Sequence, residues 1–108
     1  MSTIIQQIGI QKLECMSIRI PDDVIDHILK KHKDLTVILN IKSEDQLKTA
    51  IKDVIESPDE IHMNAYGVHY FLKKINNKWI NVIVVDDIVK TAYIIGMKTY
   101  NRLRRRWQ

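Results

Sequence analysis

Two histidines and two lysines occur within one six-residue segment, His27-Ile-Leu-Lys-Lys-His32. Histidine is the side chain whose unperturbed pKa lies nearest physiological pH, and lysine supplies a compact positive charge. Together, such groups can transfer protons and hold a phosphate. The same residues are equally typical of a solvated helix surface with one packed imidazole, so the segment suggests a functional site without establishing one.

The segment lies on a predicted helix from about Asp22 to Lys33, which Pro21 and two aspartates open. Proline suits the first turn of a helix, and carboxylates suit the positive end of its dipole. At about 100° per residue, His32 projects onto the middle of an apolar stripe, whereas His27 and Lys31 lie at its polar edge. The stripe consists of Val24, Ile25, Ile28 and Leu29. His32 is therefore either a core residue or a catalytic one, and His27 is either ordinary surface or part of a site.

The segments on either side of this helix predict further regular structure. In Leu13 to Ile20 the residue types alternate with the period of about two that is typical of a strand. Leu35 to Ile41 is apolar and β-branched enough for a short strand, although a loop packed over the core is the alternative. Ser43 and Gln46 have the spacing of a capping box, and the helix that they begin should end just before Pro58.

After Pro58 the apolar residues change from a helical period to a period of about two, which is typical of strands. Asn76-Asn77 is a hairpin signal because asparagine tolerates a positive φ. The predicted strands are Glu60–Asn64, Val68–Ile75, Trp79–Val85 and Ile88–Ile95. We therefore predict an α+β fold in which N-terminal helices pack on one face of a four-stranded antiparallel sheet, followed by a short basic helix over Lys98 to Trp107.

The bulk properties favour one intracellular domain with acidic partners. A chain of 108 residues is long enough for a single core, which we place at about residues 13–95, with a basic tail at about 97–108. The net charge of +4 favours association with polyanions such as nucleic acid. Cys15 is the only cysteine, so no internal disulfide can form. We expect a cytoplasmic protein, since neither a signal peptide nor an apolar stretch of about 20 residues is present.

The sequence contains no strong catalytic or metal-binding motif. A phosphate-binding glycine loop, a nucleophile elbow and a CxxC pair are all absent. His27 and His32 are about 140° apart around an ideal helix, whereas zinc ligands on one helix need a spacing of three or four residues. A metal site assembled in space from the four histidines and Cys15 is the less favoured alternative. We predict that the protein uses neither a metal nor a cofactor.

RNA cleavage by the adjacent 2′-hydroxyl is one reaction that such side chains can perform without a metal. It needs a group that takes the 2′-OH proton, a group that protonates the leaving 5′-oxygen, and positive charge near the phosphorane-like transition state. The candidate acid–base groups are His27, His32, His62 and His69, with Thr91 and Tyr93 on the last strand. Each residue has a structural alternative, and Thr91 suits a strand on propensity alone.

Near the end of the sequence, several basic residues are followed by an aromatic one. They are Arg102, Arg104, Arg105, Arg106 and Trp107. Arginine contacts to phosphates, with a base stacked on the tryptophan, would serve RNA binding. The alternative is a frayed, charged terminus.

Three segments in this order resemble a nuclease family. They are His27-Ile-Leu-Lys-Lys-His32, Ser57-Pro58-Asp59-Glu60-Ile61 and Val89-Lys90-Thr91-Ala92-Tyr93. Over about residues 13–95 the chain resembles the barnase–EndoU–colicin–RelE-like nucleases, and most of all their small phage-borne and polymorphic toxin versions. The resemblance implies helices that precede a four-stranded antiparallel sheet, and a metal-independent RNase activity.

The resemblance also implies roles for particular residues. His27, His32 and Thr91 would be catalytic, and Lys31 would hold a phosphate. The glutamate base of the barnase branch has no clear counterpart here, which leaves the base unassigned. The full set of predicted substrate-binding residues is Lys31, His69, Lys90, Arg104 and Arg105.

We therefore predict a small metal-independent endoribonuclease, of the kind found as a toxin. One alternative is a nucleic-acid-binding or regulatory module without chemistry. Another is a protein-interaction domain whose open sheet edge pairs with a partner. The expected partners are RNA, an acidic inhibitor protein and a second copy of the chain in a homodimer, and no membrane is expected.

Overall fold

The computed structural model describes residues 3–4 and 18–107, with the side chains of 18–106. Within these ranges the helices are α1 (Asp22–Lys31), α2 (Lys33–Ile38), α3 (Glu44–Glu56) and α4 (Met97–Trp107). The strands are β1 (Thr3–Ile4), β2 (Glu60–Met63), β3 (His69–Ile75), β4 (Lys78–Val85) and β5 (Ile88–Gly96). The predicted α+β class with an antiparallel sheet is confirmed.

Most of the strand predicted over Leu13 to Ile20 lies outside the described residues, as does Cys15. At its described end, Arg19 forms a single parallel bridge to Ile88, at the start of β5. The Arg19 amide donates to the Asp87 carbonyl at 2.8 Å, and the Arg19 carbonyl accepts from the Val89 amide at 2.9 Å.

Helix α1 begins where its sequence signals predict and ends two residues early. The Pro21 carbonyl accepts from the amides of Val24 and Ile25 at 3.1 and 3.2 Å. His32 leaves the helical conformation, with φ −123° and ψ 59°. Its amide still donates to the Ile28 carbonyl at 2.9 Å, and its carbonyl accepts from the Leu35 amide at 3.1 Å. His32 is therefore the corner between α1 and α2.

The strand predicted over Leu35 to Ile41 is wrong, because Lys33–Ile38 forms the short helix α2. Only Leu35, at 1% exposure, enters the core, whereas Val37 is 76% exposed. The helix ends in a Schellman motif: Asn40 has φ 54°, and the Ile41 amide donates to the Thr36 carbonyl at 2.8 Å. A single anchor and a strong C-terminal stop thus outweigh the strand propensity of these residues.

Helix α3 begins at the predicted cap. The Ser43 hydroxyl oxygen accepts from the Gln46 amide at 3.2 Å, and the Gln46 side chain accepts from the Lys42 amide at 2.6 Å. The helix ends at Glu56, before Pro58. Its buried residues are Leu47, Ile51, Val54 and Ile55, whose spacing places them on one face of the helix.

The sheet is an antiparallel meander in the order β1-β2-β3-β4-β5. Two-residue turns connect its last strands, and the left-handed φ values fall on asparagine and aspartate: 55° at Asn76, 51° at Asp86 and 62° at Asp87. The β4–β5 register shifts between Ile83 and Val84, which leaves Lys90 as the extra residue of a β-bulge.

The two faces of the sheet are covered differently. On the face that we call the core face, strand residues form one buried cluster with residues of the first three helices, including Ile25, Leu35 and Leu47. On the opposite face, Tyr100 of α4 forms a second cluster with strand residues, and Leu103 packs against it. We call this opposite face the α4 face. No helix in the described part of the chain is both long and apolar enough to cross a bilayer.

Candidate functional site

The corner at His32 brings this imidazole against the last strand, and His27 contacts it from α1. The rings of His27 and His32 meet edge to face, with centroids 5.4 Å apart. His32 in turn lies 5.7 Å from the ring of Tyr93 on β5. His27 is exposed, whereas His32 and Tyr93 are half-buried. An uninterrupted helix would hold the two imidazoles about 140° apart, so their contact follows from the end of α1 at Lys31.

Tyr93 is held by a buried amide on the neighbouring strand. Asn81 pairs with Tyr93 across β4 and β5, is 0% exposed, and donates from Nδ2 to the Tyr93 hydroxyl oxygen at 3.3 Å. Burial raises the pKa of Tyr93, and nearby Tyr70 raises it further, while the hydrogen bond from Asn81 opposes them. The phenol is therefore protonated at neutral pH.

Thr91, the third predicted catalytic residue, lies two positions before Tyr93 on β5 and pairs with Ile83. Two residues along a strand place it on the same face as Tyr93, about 7 Å away. Among the described residues, the buried Thr91 Oγ1 and Asn81 Oδ1 have no hydrogen-bond partner. Both atoms belong to residues at α4-face positions, and because neither is accessible to solvent, a ligand could reach them only after neighbouring side chains moved.

The predicted substrate-binding lysines and arginines are exposed. Lys31 ends α1, one residue before His32, and Lys90 stands in the β-bulge beside Thr91. Arg104 and Arg105 lie on the last turn of α4. Within residues 18–106, none of these four side chains forms a salt bridge.

His69 is separated from the other predicted site residues. It pairs with Val84 and stacks 6.3 Å from Phe71, and both of these partners belong to the core-face cluster. Its Nδ1 lies 3.1 Å from the Gly67 carbonyl oxygen. The structure therefore places His69 on the opposite face from Thr91 and Tyr93.

A second polar group, which was not predicted as a unit, lies on the α4 face at β2. Glu60 accepts from the Tyr100 hydroxyl at 2.5 Å through one oxygen, and His62 Nε2 lies 2.7 Å from the other. The Tyr100 ring stacks on Trp79 at 4.2 Å. These contacts attach α4 to the sheet. The spacing of Glu60 and His62, two apart on a strand, was the available signal for their shared face.

The Tyr100 environment predicts a loss of stability in alkali. Burial raises the pKa of Tyr100 to about 12, and the hydrogen bond to Glu60 adds to the effect. An unfolded tyrosine ionises near pH 10. Between about pH 10 and 12 only the unfolded chain releases this proton, so the free energy of unfolding should fall as pH rises. Urea denaturation over this range should show a smaller fall for Tyr100→Phe than for wild type.

Tyr66→Phe is the control for that measurement, because Tyr66 is 89% exposed and lies in the loop that follows Met63, the last residue of β2, whereas Glu60 is the first. It should retain the wild-type pH dependence. Identical pH dependence in wild type and Tyr100→Phe would show that ionisation of Tyr100 is not linked to folding.

Comparison with known proteins adds no identification. No protein-family model matches the chain, and no curated protein or solved structure matches it either. Among the described side chains, no group of three or more histidine, cysteine, aspartate or glutamate residues is arranged to hold a metal ion.

Proposed function

We propose that this protein is a small metal-independent endoribonuclease of the barnase–EndoU–colicin–RelE-like type. The observation that carries the proposal is a chain of ring contacts at the edge of the α4 face, in which His27 contacts His32 and His32 contacts Tyr93. Two titratable groups 5.4 Å apart can both reach one phosphodiester. One ring is exposed and the other half-buried, and an imidazole can either take or give a proton.

In the proposed reaction, the 2′-oxygen of a ribose forms a bond to the adjacent phosphorus while the bond from phosphorus to the 5′-oxygen breaks. One imidazole takes the 2′-OH proton, and the other, as an imidazolium, gives a proton to the leaving 5′-oxygen. The products are a 2′,3′-cyclic phosphate and a 5′-hydroxyl. Water can then open the cyclic phosphate to a 3′-phosphate, with the two imidazoles in exchanged roles.

Neighbouring groups can stabilise the transition state. The Tyr93 phenol is protonated at neutral pH, so its O–H can donate to a non-bridging phosphate oxygen. In the proposal the Thr91 hydroxyl, which is buried in the free protein, is a second donor that side-chain movement would expose. Lys31 directly precedes His32 in sequence, Lys90 directly precedes Thr91, and both lysines add positive charge. Arg104 and Arg105 of α4 can bind phosphates of the same RNA chain that lie further from the cleaved bond.

Purified protein is expected to cleave single-stranded RNA in the presence of EDTA and to leave cyclic phosphate or 3′-phosphate ends. The test is product analysis after incubation with a labelled oligoribonucleotide. A His27→Ala/His32→Ala double variant, purified identically, is the control for contaminating nucleases. Strict dependence on an added divalent metal would contradict the mechanism.

A second candidate function uses the same surface without chemistry. The arginines of α4 are exposed, and a nucleic-acid-binding or regulatory module would need only such phosphate contacts. RNA binding without cleavage of any RNA would favour this function over the nuclease.

The proposed activity also fits particular partners and a cellular location. An RNase of this type would act in the cytoplasm, where its substrate is abundant, and a toxin would require an inhibitor. An acidic protein is the partner that a chain with net charge +4 would attract. We also propose that two copies of the chain form a homodimer.

A further inference from the structure

Tyr66 is the most exposed of the large hydrophobic side chains in the described part of the chain, at 89%. It lies in the loop between β2 and β3, between two exposed small residues, Ala65 and Gly67. A Cβ at Gly67 would meet no atom within 4 Å, so the space around this neighbouring residue is open. The aromatic ring is thus presented to solvent with little beside it.

The loop that carries Tyr66 is fixed by the side chain of one asparagine. Asn64 Oδ1 accepts from the amides of Tyr66 and Val68 at 2.8 and 3.1 Å. The backbone closes the same turn, with the Asn64 amide donating to the Val68 carbonyl at 3.0 Å. A fixed loop loses less conformational entropy when it binds a ligand, which favours tight binding by the group at its tip.

Asn64 also ties this loop to the α4 face. Its Nδ2 donates to the Tyr70 hydroxyl at 3.3 Å, and Tyr70 lies near enough to Tyr93 to raise its pKa. Tyr70 pairs with Ile83, which in turn pairs with Thr91, so these three residues form one row across the face. The row leads from the proposed catalytic edge to the loop that carries Tyr66.

We propose that Tyr66 is a base-stacking subsite for single-stranded RNA, which binds across the α4 face away from the cleaved bond. This inference rests on the proposed function and names a substrate contact for the same site. Neighbouring strands are about 4.8 Å apart, so the loop lies about 10–14 Å from β5. At about 3.4 Å per stacked nucleotide, that is about three to four nucleotides.

The charge of the chain favours RNA over other occupants. The loop itself is uncharged, the chain has a net charge of +4, and exposed arginines lie on α4 at the same face. Single-stranded nucleic-acid sites combine such cationic groups with aromatic rings on which bases stack. Stacking is tolerant of base identity, so Tyr66 should contribute affinity without strong sequence preference.

The test is binding of a fluorescein-labelled, eight-nucleotide 2′-O-methyl RNA, which cannot be cleaved through its 2′-oxygen. Tyr66→Ala should weaken binding about tenfold, whereas Tyr66→Phe, which keeps the ring, should bind within about twofold of wild type. Val37→Ala removes an exposed apolar side chain from α2 and should have no effect. Cleavage of a dinucleotide should be unchanged in Tyr66→Ala, because a dinucleotide does not reach the loop.

A double-mutant cycle tests the role of Asn64. If Asn64 acts by fixing the loop, Asn64→Ala should weaken binding in wild type but add little to Tyr66→Ala. Equal affinity of wild type and Tyr66→Ala for the octanucleotide would overturn the inference, and so would the absence of RNA binding by wild type. If wild type binds the octanucleotide through Tyr66 but cleaves no RNA, the subsite stands and the nuclease proposal fails.

Discussion

Replacing His27 with alanine is expected to lower the rate of RNA cleavage about 100-fold or more while RNA affinity changes little. The imidazole is exposed and carries no part of the core, so its loss should leave the fold intact. A group that only transfers a proton contributes to the transition state and not to ground-state binding. The measurement is the single-turnover rate with excess enzyme, beside the affinity for uncleavable 2′-O-methyl RNA.

Two other histidines provide comparisons for His27→Ala. His69→Ala should leave the cleavage rate unchanged, because His69 lies on the core face, away from Tyr93. His32 is half-buried and forms the corner between α1 and α2, so His32→Ala should lower both the melting temperature and the rate. Equal losses of affinity and rate in a folded His27→Ala variant would count against a proton-transfer role.

The regular elements could be predicted because their signals are local. The proline before α1 with the aspartates of its first turn, the capping serine of α3 and the asparagine turn of β3–β4 each specify a boundary through residues a few positions apart. Such signals act before the rest of the chain is folded. They located α1 and α3 and the four main strands to within a few residues.

Helix α2 shows where local propensity fails. The β-branched residues of 36–41 favoured a strand, but no neighbouring strand lies there to pair with them in the described sheet. The Schellman motif at Asn40 instead ends a helix that a single buried leucine holds. Asn40 can be read from the sequence, but a left-handed asparagine indicates a helix end only if the residues before it are already known to be helical.

The candidate site was only partly predictable because its geometry depends on tertiary structure. The sequence identified His27, His32, Thr91 and Tyr93 by residue type. It could not show that the helix ends at Lys31, and this end brings the two imidazoles together. Asn81 sits within an apolar strand, and its contact with Tyr93 depends on the β4–β5 register. One part of the geometry could have been predicted. Successive side chains of a strand point to opposite faces of a sheet, so adjacent residues of β3 such as His69 and Tyr70 must lie on different faces.

Replacing Arg104, Arg105 and Arg106 together with glutamine should weaken RNA binding roughly 100-fold at low salt, at about 1 kcal/mol for each exposed phosphate contact. Each lost contact to a single strand should also lower the slope of log affinity against log salt by about 0.7, or about 2 in total. Glutamine is a good helix former, so α4 should persist. The measurement is a titration with uncleavable RNA at several salt concentrations.

A control variant of equal charge separates phosphate contacts from net charge. Lys42, Lys48 and Lys52 lie at or on α3, whose buried side belongs to the core-face cluster. Their replacement by glutamine also removes three positive charges, but from the other side of the sheet. If the arginines contact phosphates across the α4 face, only the arginine variant should show the large loss and the reduced slope. Equal losses in both variants would mean that RNA responds to overall charge, and that α4 does not form a specific part of the binding surface.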